Sequence, residues 1–306
     1  MTAVDVLPTT LPTGTRGSFC GLLLLHLAFA APHPAAAQTL APPLERVEPD
    51  STPAATSGLP LWELGAGLAG LHVPHYRGAA QAYSGVLPVP FGVYRGDILR
   101  ADRDGARAVL FDSDNIDIDV SLFATVPVSS SDDAARSGMP DLRATIEIGP
   151  NLQFTLLREG PWLLQLRLPV RTAITLQSRP QQVGWVATPN LNLDWHPGHW
   201  NVGMQLGPVF GTRDFFGYFY DVSATEATAV RPAYQSAGGF GGWQATLSMS
   251  RRFGSQWFGL FVRADSVAGA VFVDSPLVSR HETLAAGFAW SWSWLQSTQR
   301  VADRQR

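Results

Sequence analysis

The sequence predicts an all-β fold: a transmembrane antiparallel β-barrel of about 12 strands, with about 10 as the alternative, after a cleaved signal peptide. Three observations carry that expectation. Apolar residues recur with period two along segments longer than the roughly five or six residues of an ordinary strand. Aromatic residues collect at the ends of the apolar faces, as they do where a barrel wall meets the two membrane interfaces. Beyond the N-terminal segment no apolar run reaches the ~20 residues of a membrane helix, and in hydrocarbon the remaining way to satisfy every backbone N–H and C=O is a closed barrel. A secreted β-sandwich also alternates, but strand length and aromatic placement favour the barrel.

The chain opens with an export signal. Arg16 precedes the apolar run FCGLLLLHLAFAA (Phe19 to Ala31), followed by PHP and AAAQ, so residues 1–37 read as a signal peptide cleaved after Ala37. Cys20, the one cysteine, lies inside it, which leaves the exported chain without thiol chemistry. Residues 38–58, QTLAPPLERVEPDSTPAATSG, show neither period and read as a flexible periplasmic tether. The barrel is expected over 59–295, with a tail at 296–306. Charged residues make up only 15% of the chain, against roughly 25% in a soluble domain. All 22 cations are arginine, and a net charge of -3 gives no basis for nucleic-acid binding.

Segments near 62–71 and 86–95 come first, then DILRA (Asp97 to Ala101), closed by the turn signal DRDG (Asp102 to Gly105), then 106–111. The lower strand count follows if 62–71 does not cross the membrane, or if 97–111 is one strand. In NIDIDVSLFATV, Ile116, Ile118, Val120 and Leu122 oppose Asp117, Asp119 and Ser121, with Phe123 as the exception. In DLRATIEIGPNLQFTLL, Leu142, Ile146, Ile148, Leu152 and Phe154 oppose Arg143, Thr145, Glu147, Asn151 and Gln153. WLLQLRLPVRTAITL sets Trp162, Leu164, Leu166 and Leu168 against Gln165, Arg167 and Arg171. VGWVATPNLNLDW sets Trp185, Leu191, Leu193 and Trp195 against Asn190, Asn192 and Asp194, and WNVGMQLGPVF sets Trp200, Val202, Met204 and Leu206 against Asn201 and Gln205. Strands near 240–253 and 256–265 follow. In AAGFAWSWSWL, Phe288, Trp290, Trp292 and Trp294 share one face while Ser291 and Ser293 share the other.

Short turns at Asp112 to Asn115, Arg158 to Gly160, His196 to His199 and Gly254–Ser255 fall on one side. The longer connections 128–140, 177–182, 211–239 and 266–282 fall on the other, which is the short-periplasmic, long-extracellular asymmetry of outer-membrane barrels. Outer-membrane lipid is then the first partner, met at its interfaces by Trp162, Trp185, Trp195, Trp200, Trp290, Trp292 and Trp294. Asp117, Asp119, Arg143, Glu147, Arg167, Arg171 and Asp194 are expected in the lumen, either as a salt-bridge network or as the lining of a narrow channel. The loop 211–239, with Phe215, Phe216, Tyr218, Phe219 and Tyr220, is expected either to fold into the barrel mouth or to form an interaction surface.

Chemistry-bearing motifs are sparse. The HxxH pairs His72/His75 and His196/His199 lack a third ligand at a defined spacing and read as turn or interfacial histidines. SRHE (Ser279 to Glu282) offers hydrolase residue types, but neighbours so close in sequence do not present a hydroxyl to an imidazole. No catalytic residue, metal or cofactor is expected.

The ordered series WELGAGLAGLHVPHYRG, VLPVPFGVYRGDILRADRDG, SGMPDLRATIEIGP, FFGYFYDV…RPAYQSAGGFGGWQ and VFVDSPLV resembles the MltA-interacting protein (MipA)/OmpV family of outer-membrane proteins over about residues 60–294. The chain departs from that pattern in continuing past the last strand with LQSTQRVADRQR. The resemblance implies a non-enzymatic barrel and, as for the family's namesake, a scaffold between a lytic transglycosylase and a murein synthase. Other members imply porin-like or adhesive roles. A narrow porin is thus the second expectation and an outer-membrane lipid hydrolase built on Ser279, His281 and Glu282 the third.

Overall fold

The computed structural model describes residues 58–95, 99–102, 105–113 and 115–301. The expected signal peptide and nearly all of the tether lie outside the described residues. Twelve strands build one wall: β1 (Trp62–Pro74), β2 (Ala82–Arg95), β3 (Leu99–Asp102), β4 (Gly105–Asp112), β5 (Ile116–Ala124) and β6 (Thr145–Glu159). They continue with β7 (Trp162–Thr175), β8 in two halves (Gln182–Ala187 and Asn190–Trp195), β9 (Trp200–Gly211), β10 (Gly239–Phe253), β11 (Gln256–Ser266) and β12 (Glu282–Gln296).

Each strand pairs antiparallel with the next, and β12 returns to β1 from Ala286↔His72 to Gln296↔Glu63, so the sheet closes on itself. The two halves of β8 both pair with β7 and β9, and the break between them contains Pro189, which has no N–H to give to the ladder. DILRA, read from sequence as a strand ending at Ala101, is the four-residue β3. The tail is not wholly free: β12 runs through Gln296, and Arg300–Val301 pairs with Leu59–Pro60.

Alternation places the apolar set outside. Met204, Leu247 and Val262 lie side by side in register on neighbouring strands with their side chains exposed. An exposed apolar belt of this extent is what a wall facing acyl chains requires. The short connections sit at one end. In the hairpin Gly254–Ser255, glycine takes the first central position at φ 59°, where a type II′ turn needs positive φ.

At the opposite end the long connections 75–81, 125–144, 212–238 and 267–281 fold together, and this cap holds most of the buried apolar core. Tyr220 stacks on Phe272 at 3.7 Å, Phe216 packs on Phe272 at 4.7 Å, and Tyr76 meets Tyr220 edge-on at 5.9 Å. The core is there because the lumen of a barrel this size carries polar groups and the outer face meets lipid, leaving the loops as the place where aromatic surface can be withdrawn from both.

Candidate functional site: a roofed lumen

The lumen is organised in three levels. The roof is a helix, α1 (Arg213–Tyr220), inside the loop that was expected either to plug or to protrude. Thr212 caps it, accepting from Phe215 N, and the same hydroxyl accepts Trp185 N of β8 at 3.0 Å. Gly184 permits this close seating: it sits at φ 120°, and a Cβ there would lie 2.5 Å from Phe215 N. Phe215, Phe216, Phe219 and Tyr220 share one helix face, at spacings of one, four and five residues. All four line the lumen cavity beneath. Tyr218 faces elsewhere; its hydroxyl accepts from Arg143 N and donates to Arg143 O.

Polar ties hold the roof down. Tyr220 donates to Arg77 O at 2.8 Å, Tyr76 donates to Leu277 O at 3.0 Å, and Arg136 donates to Phe219 O at 3.0 Å. Burial pushes the Tyr76 and Tyr220 hydroxyls well above the usual phenol range, so both stay protonated donors at neutral pH. The buried Asp133 accepts from Ala135 N and pairs with His75 Nδ1 at 2.9 Å, joining the first long loop to the second.

Below the roof lies a cavity of about 660 Å³. On one wall Arg171 donates from Nε to Glu147 at 3.0 Å and from Nη2 to Thr188 at 3.3 Å, and its guanidinium lies 5.9 Å from the Phe123 ring. Phe123, the exception to alternation in β5, therefore faces inward. Across the lumen Asp265 receives Arg77 Nε at 3.0 Å, Arg263 Nε at 2.9 Å and Gln244 Nε2 at 2.9 Å. Lower down, Asn192 donates to Asp194 at 2.7 Å, Arg167 approaches Asp194 at 3.5 Å, and Gln153 donates to Asp119 at 2.6 Å.

The floor is an ion cluster around a buried glutamate near the short-turn end. Glu63, 0% exposed, binds Arg95 at 2.8 Å and Arg252 through both carboxylate oxygens. Phe91 of β2 and Trp257 of β11 stack near it at 6.5 Å, over the small residues of β1 and β12 that lie between them.

The inward residues expected from sequence thus fall into separate clusters. Glu147 and Arg171 form one; Arg167 and Asp194 form another; Asp117 and Asp119 share the inward face of β5. Arg143 stands at the mouth of the cavity, exposed in the loop just before β6, where Tyr218 bonds both its backbone N–H and its C=O. The aromatic belt includes a stacked Trp162–Trp195 pair at 5.2 Å and a Trp290–Trp292 pair at 5.2 Å, while Trp294 is 70% exposed beside a bulge. Trp185 is exposed near the cap end, where Trp243 and Phe210 complete the upper ring. Trp200 lies under the Arg251 guanidinium at 5.1 Å. The HxxH pairs do not converge: His72 bonds Ser84 while His75 bonds Asp133, and His196 approaches Pro161 O while His199 is exposed. Among the described residues no cluster of three potential metal ligands occurs.

Glu63, Arg95, Arg252, Arg77, Arg263 and Asp265 were not singled out from sequence. Glu63 sits in a strand of small residues, and the inward face of β11 mixes Trp257 and Phe261 with Arg263 and Asp265, so polarity does not alternate there.

Residues 66–294 match the family described as MltA-interacting protein MipA. The chain belongs to the MipA family. That match runs from inside β1 to Trp294, two residues before the end of β12, and with the closed apolar-faced wall it places the protein in the bacterial outer membrane. No curated protein matches the sequence. Among solved structures, an outer-membrane channel from Pseudomonas putida F1 is 10% identical, with 80% of this chain and 100% of that chain covered at a TM-score of 0.35. Outer membrane phospholipase A from Escherichia coli is 11% identical, with 79% and 94% covered and a TM-score of 0.32. The CymD monoaromatic hydrocarbon channel is 11% identical, with 76% and 88% covered and a TM-score of 0.33. At this similarity none of them bears on what this MipA-family chain does.

Proposed function

We propose that this protein is a non-enzymatic structural or interaction protein of the outer membrane, which holds murein-acting enzymes at the periplasmic face and does not conduct. The observation that supports this reading is the narrowing of the lumen at two levels among the described residues, by α1 above and by the Glu63–Arg95–Arg252 cluster with the Phe91–Trp257 stack below. A pore needs a continuous water path, whereas a scaffold needs only a stable anchor with periplasmic surface. The family's description, MltA-interacting protein, supports a lytic transglycosylase as the partner class. A hydrolase gains no support from Ser279, His281 and Glu282: all three are exposed, and no side-chain hydrogen bond joins them.

The partner reading is tested by capturing a purified lytic transglycosylase on the refolded mature protein in detergent micelles. Capture is expected from the intact chain, and it should weaken on deletion of residues 38–58 or on replacement of the turn His196 to His199. No capture by the intact chain, or equal capture by the deletion and turn variants, would contradict it.

A further inference from the structure

The wall is not equally continuous all the way round. Of the 14 residues of β2, only Tyr94 and Arg95 at its floor end pair with β3. β3 has four residues, which at ~3.3 Å each span ~13 Å of a hydrocarbon layer ~30 Å thick. On the far side of that hairpin, β4 pairs with β5 only as far as Ala108↔Val120, so Ser121 to Ala124 have no strand partner on that side among the described residues. β2 and β5 therefore face each other across a gap that is closed below by the hairpin and open above it. β2 bonds β1 through its odd-numbered residues: in one unbroken register, Arg95 N donates to Leu61 O at one end and His75 N donates to Gln81 O at the other. Its even-numbered residues turn their backbone groups toward the gap, and Pro88 and Pro90 are two of them. Neither has an N–H to leave unpaired there, nor one to give to an added strand, so the edge resists being covered by another sheet.

The cavity beneath α1 reaches this gap. Leu71, Val73 and Tyr83 border it from β1 and β2, and Phe123 borders it from β5. Leu122, on the membrane face of β5, borders it too. An inward and an outward residue of one strand line the same cavity only round an open edge, and Phe123, although it points inward, is 43% exposed. The ionic groups of the lining satisfy one another, Glu147 with Arg171 and Asp265 with Arg77 and Arg263, so they make no demand for a charged guest. One polar group is left over. Asn151, 8% exposed, lines the cavity with its Oδ1 unpaired among the described residues. It stands on β6 opposite Asp119, two residues before Ser121 at the open edge of β5.

We propose that the gap between β2 and β5 is a lateral portal, through which an uncharged apolar molecule carrying a hydroxyl, dissolved in the bilayer, enters the chamber beneath α1. Its apolar body lies among Leu71, Val73, Phe123 and the phenylalanines of α1, and its hydroxyl bonds the Asn151 side-chain amide. A hydroxyl both donates and accepts, so it suits that amide in either orientation. The source of the guest follows from the position of the opening: the portal is continuous with the exposed apolar belt, so a molecule already partitioned into the membrane reaches the chamber without crossing water. A volume of about 660 Å³ accommodates a small two-ring molecule with room for water at the ion pairs. The chamber is blind below, since Glu63, Phe91 and Trp257 do not border it, so lateral entry makes no path across the membrane. The portal opens above the β3–β4 hairpin and away from the short turns, so its occupancy is independent of any enzyme held at the periplasmic face.

The test uses the refolded mature protein in lipid nanodiscs, with 1-naphthol and its methyl ether, 1-methoxynaphthalene, as probes. Binding is measured above protein-free discs, and heat-modifiable gel mobility checks the folding of every variant. Saturable binding of both probes is expected, with naphthol bound roughly fivefold more tightly relative to its partition into the bilayer, the yield of one neutral hydrogen bond. Asn151→Leu should abolish that preference and leave the ether bound. Ser121→Trp, which fills the chamber behind the portal, should abolish binding of both. Residues 38–306 hold no cysteine, so the route can be probed with single thiols. A bulky maleimide on Leu122→Cys should slow naphthol uptake several-fold, and the same adduct on Leu284→Cys, exposed on β12 away from the gap, should not. No saturable binding, equal affinity for the two probes, or a preference that survives in folded Asn151→Leu would each overturn the site. Uptake indifferent to the Leu122→Cys adduct would overturn the portal. So would rapid inter-chain disulfide formation by Val86→Cys on β2 but not by Leu284→Cys, the mark of a second copy seated on the edge. If Asn151→Leu does not fold, Ser121→Trp is read instead, and unchanged binding of either probe there overturns the site.

Discussion

Replacing Glu63 with alanine is expected to destabilise the folded barrel by about 2–3 kcal/mol, below the roughly 3–5 kcal/mol of a fully buried ion pair because both guanidinium groups keep part of their hydration. Glu63 has no solvent access and, among the described residues, is the carboxylate that joins Arg95 to Arg252. Without it two guanidinium groups face each other in the floor of the lumen, and Arg95 loses a contact that orients it toward Pro60 O, which it also binds at 2.8 Å. Because Arg95 and Pro60 link the wall to the short paired segment at Leu59–Pro60, the loss should reach that segment as well. Urea unfolding followed by tryptophan fluorescence gives the shift. Glu63→Gln keeps the volume and part of the hydrogen bonding, so it should fall between wild type and Glu63→Ala. A shift within about 1 kcal/mol for the alanine variant would mean that the cluster is worth no more than an exposed ion pair.

Phe216→Ala is expected to cost about 3–5 kcal/mol, but in the cap and not in the wall. Phe216 is almost fully buried, packs on Phe272 and fills the space left by Gly241, where a Cβ would lie 2.5 Å from its ring. The wall is held by its own closed ladder, so the variant should keep heat-modifiable mobility while the loops 125–144 and 212–238 become sensitive to protease. Phe216→Leu should be milder, since it leaves a smaller cavity. Loops that stay protected in the alanine variant would show that the hydrogen bonds of Tyr76, Tyr220 and Arg136, and not aromatic packing, hold the roof.

The wall was legible in the sequence because each membrane strand meets lipid on one side, and that demand imposes period two wherever side chains are large enough to register it. β5 to β9 show it residue by residue. β1 hides its buried acid because Gly65, Ala66, Gly67, Ala69 and Gly70 make both faces small, and Glu63 then reads as an isolated charge near a strand end. In β10, Arg251 and Arg252 are adjacent and equivalent in composition. One lies over Trp200 and Phe253 while the other enters the floor, a difference that only the pleat and the position of Glu63 decide.

The cap was half legible. Thr212 followed by Asp214 and then by aromatics at one, four and five residues is the pattern of a capped helix with one greasy face, although the helix is short. What the sequence could not supply is the object that face meets, because Phe272, Tyr76 and Leu277 come from loops far away in the chain and show no period of their own. Arg143 lies just outside the strand for a related reason: alternation continues through DLRAT, while β6 begins at Thr145 and Tyr218, 75 residues later, bonds the Arg143 backbone.

The central claim is that the lumen is closed, and single-channel recording of the refolded mature protein in a planar bilayer tests it most directly. After heat-modifiable mobility has shown that the barrel is folded, a membrane that stays silent at moderate voltage is expected. Discrete, reproducible conductance steps from the wild-type protein would contradict it, because they would require a continuous water path past both α1 and the Glu63 cluster.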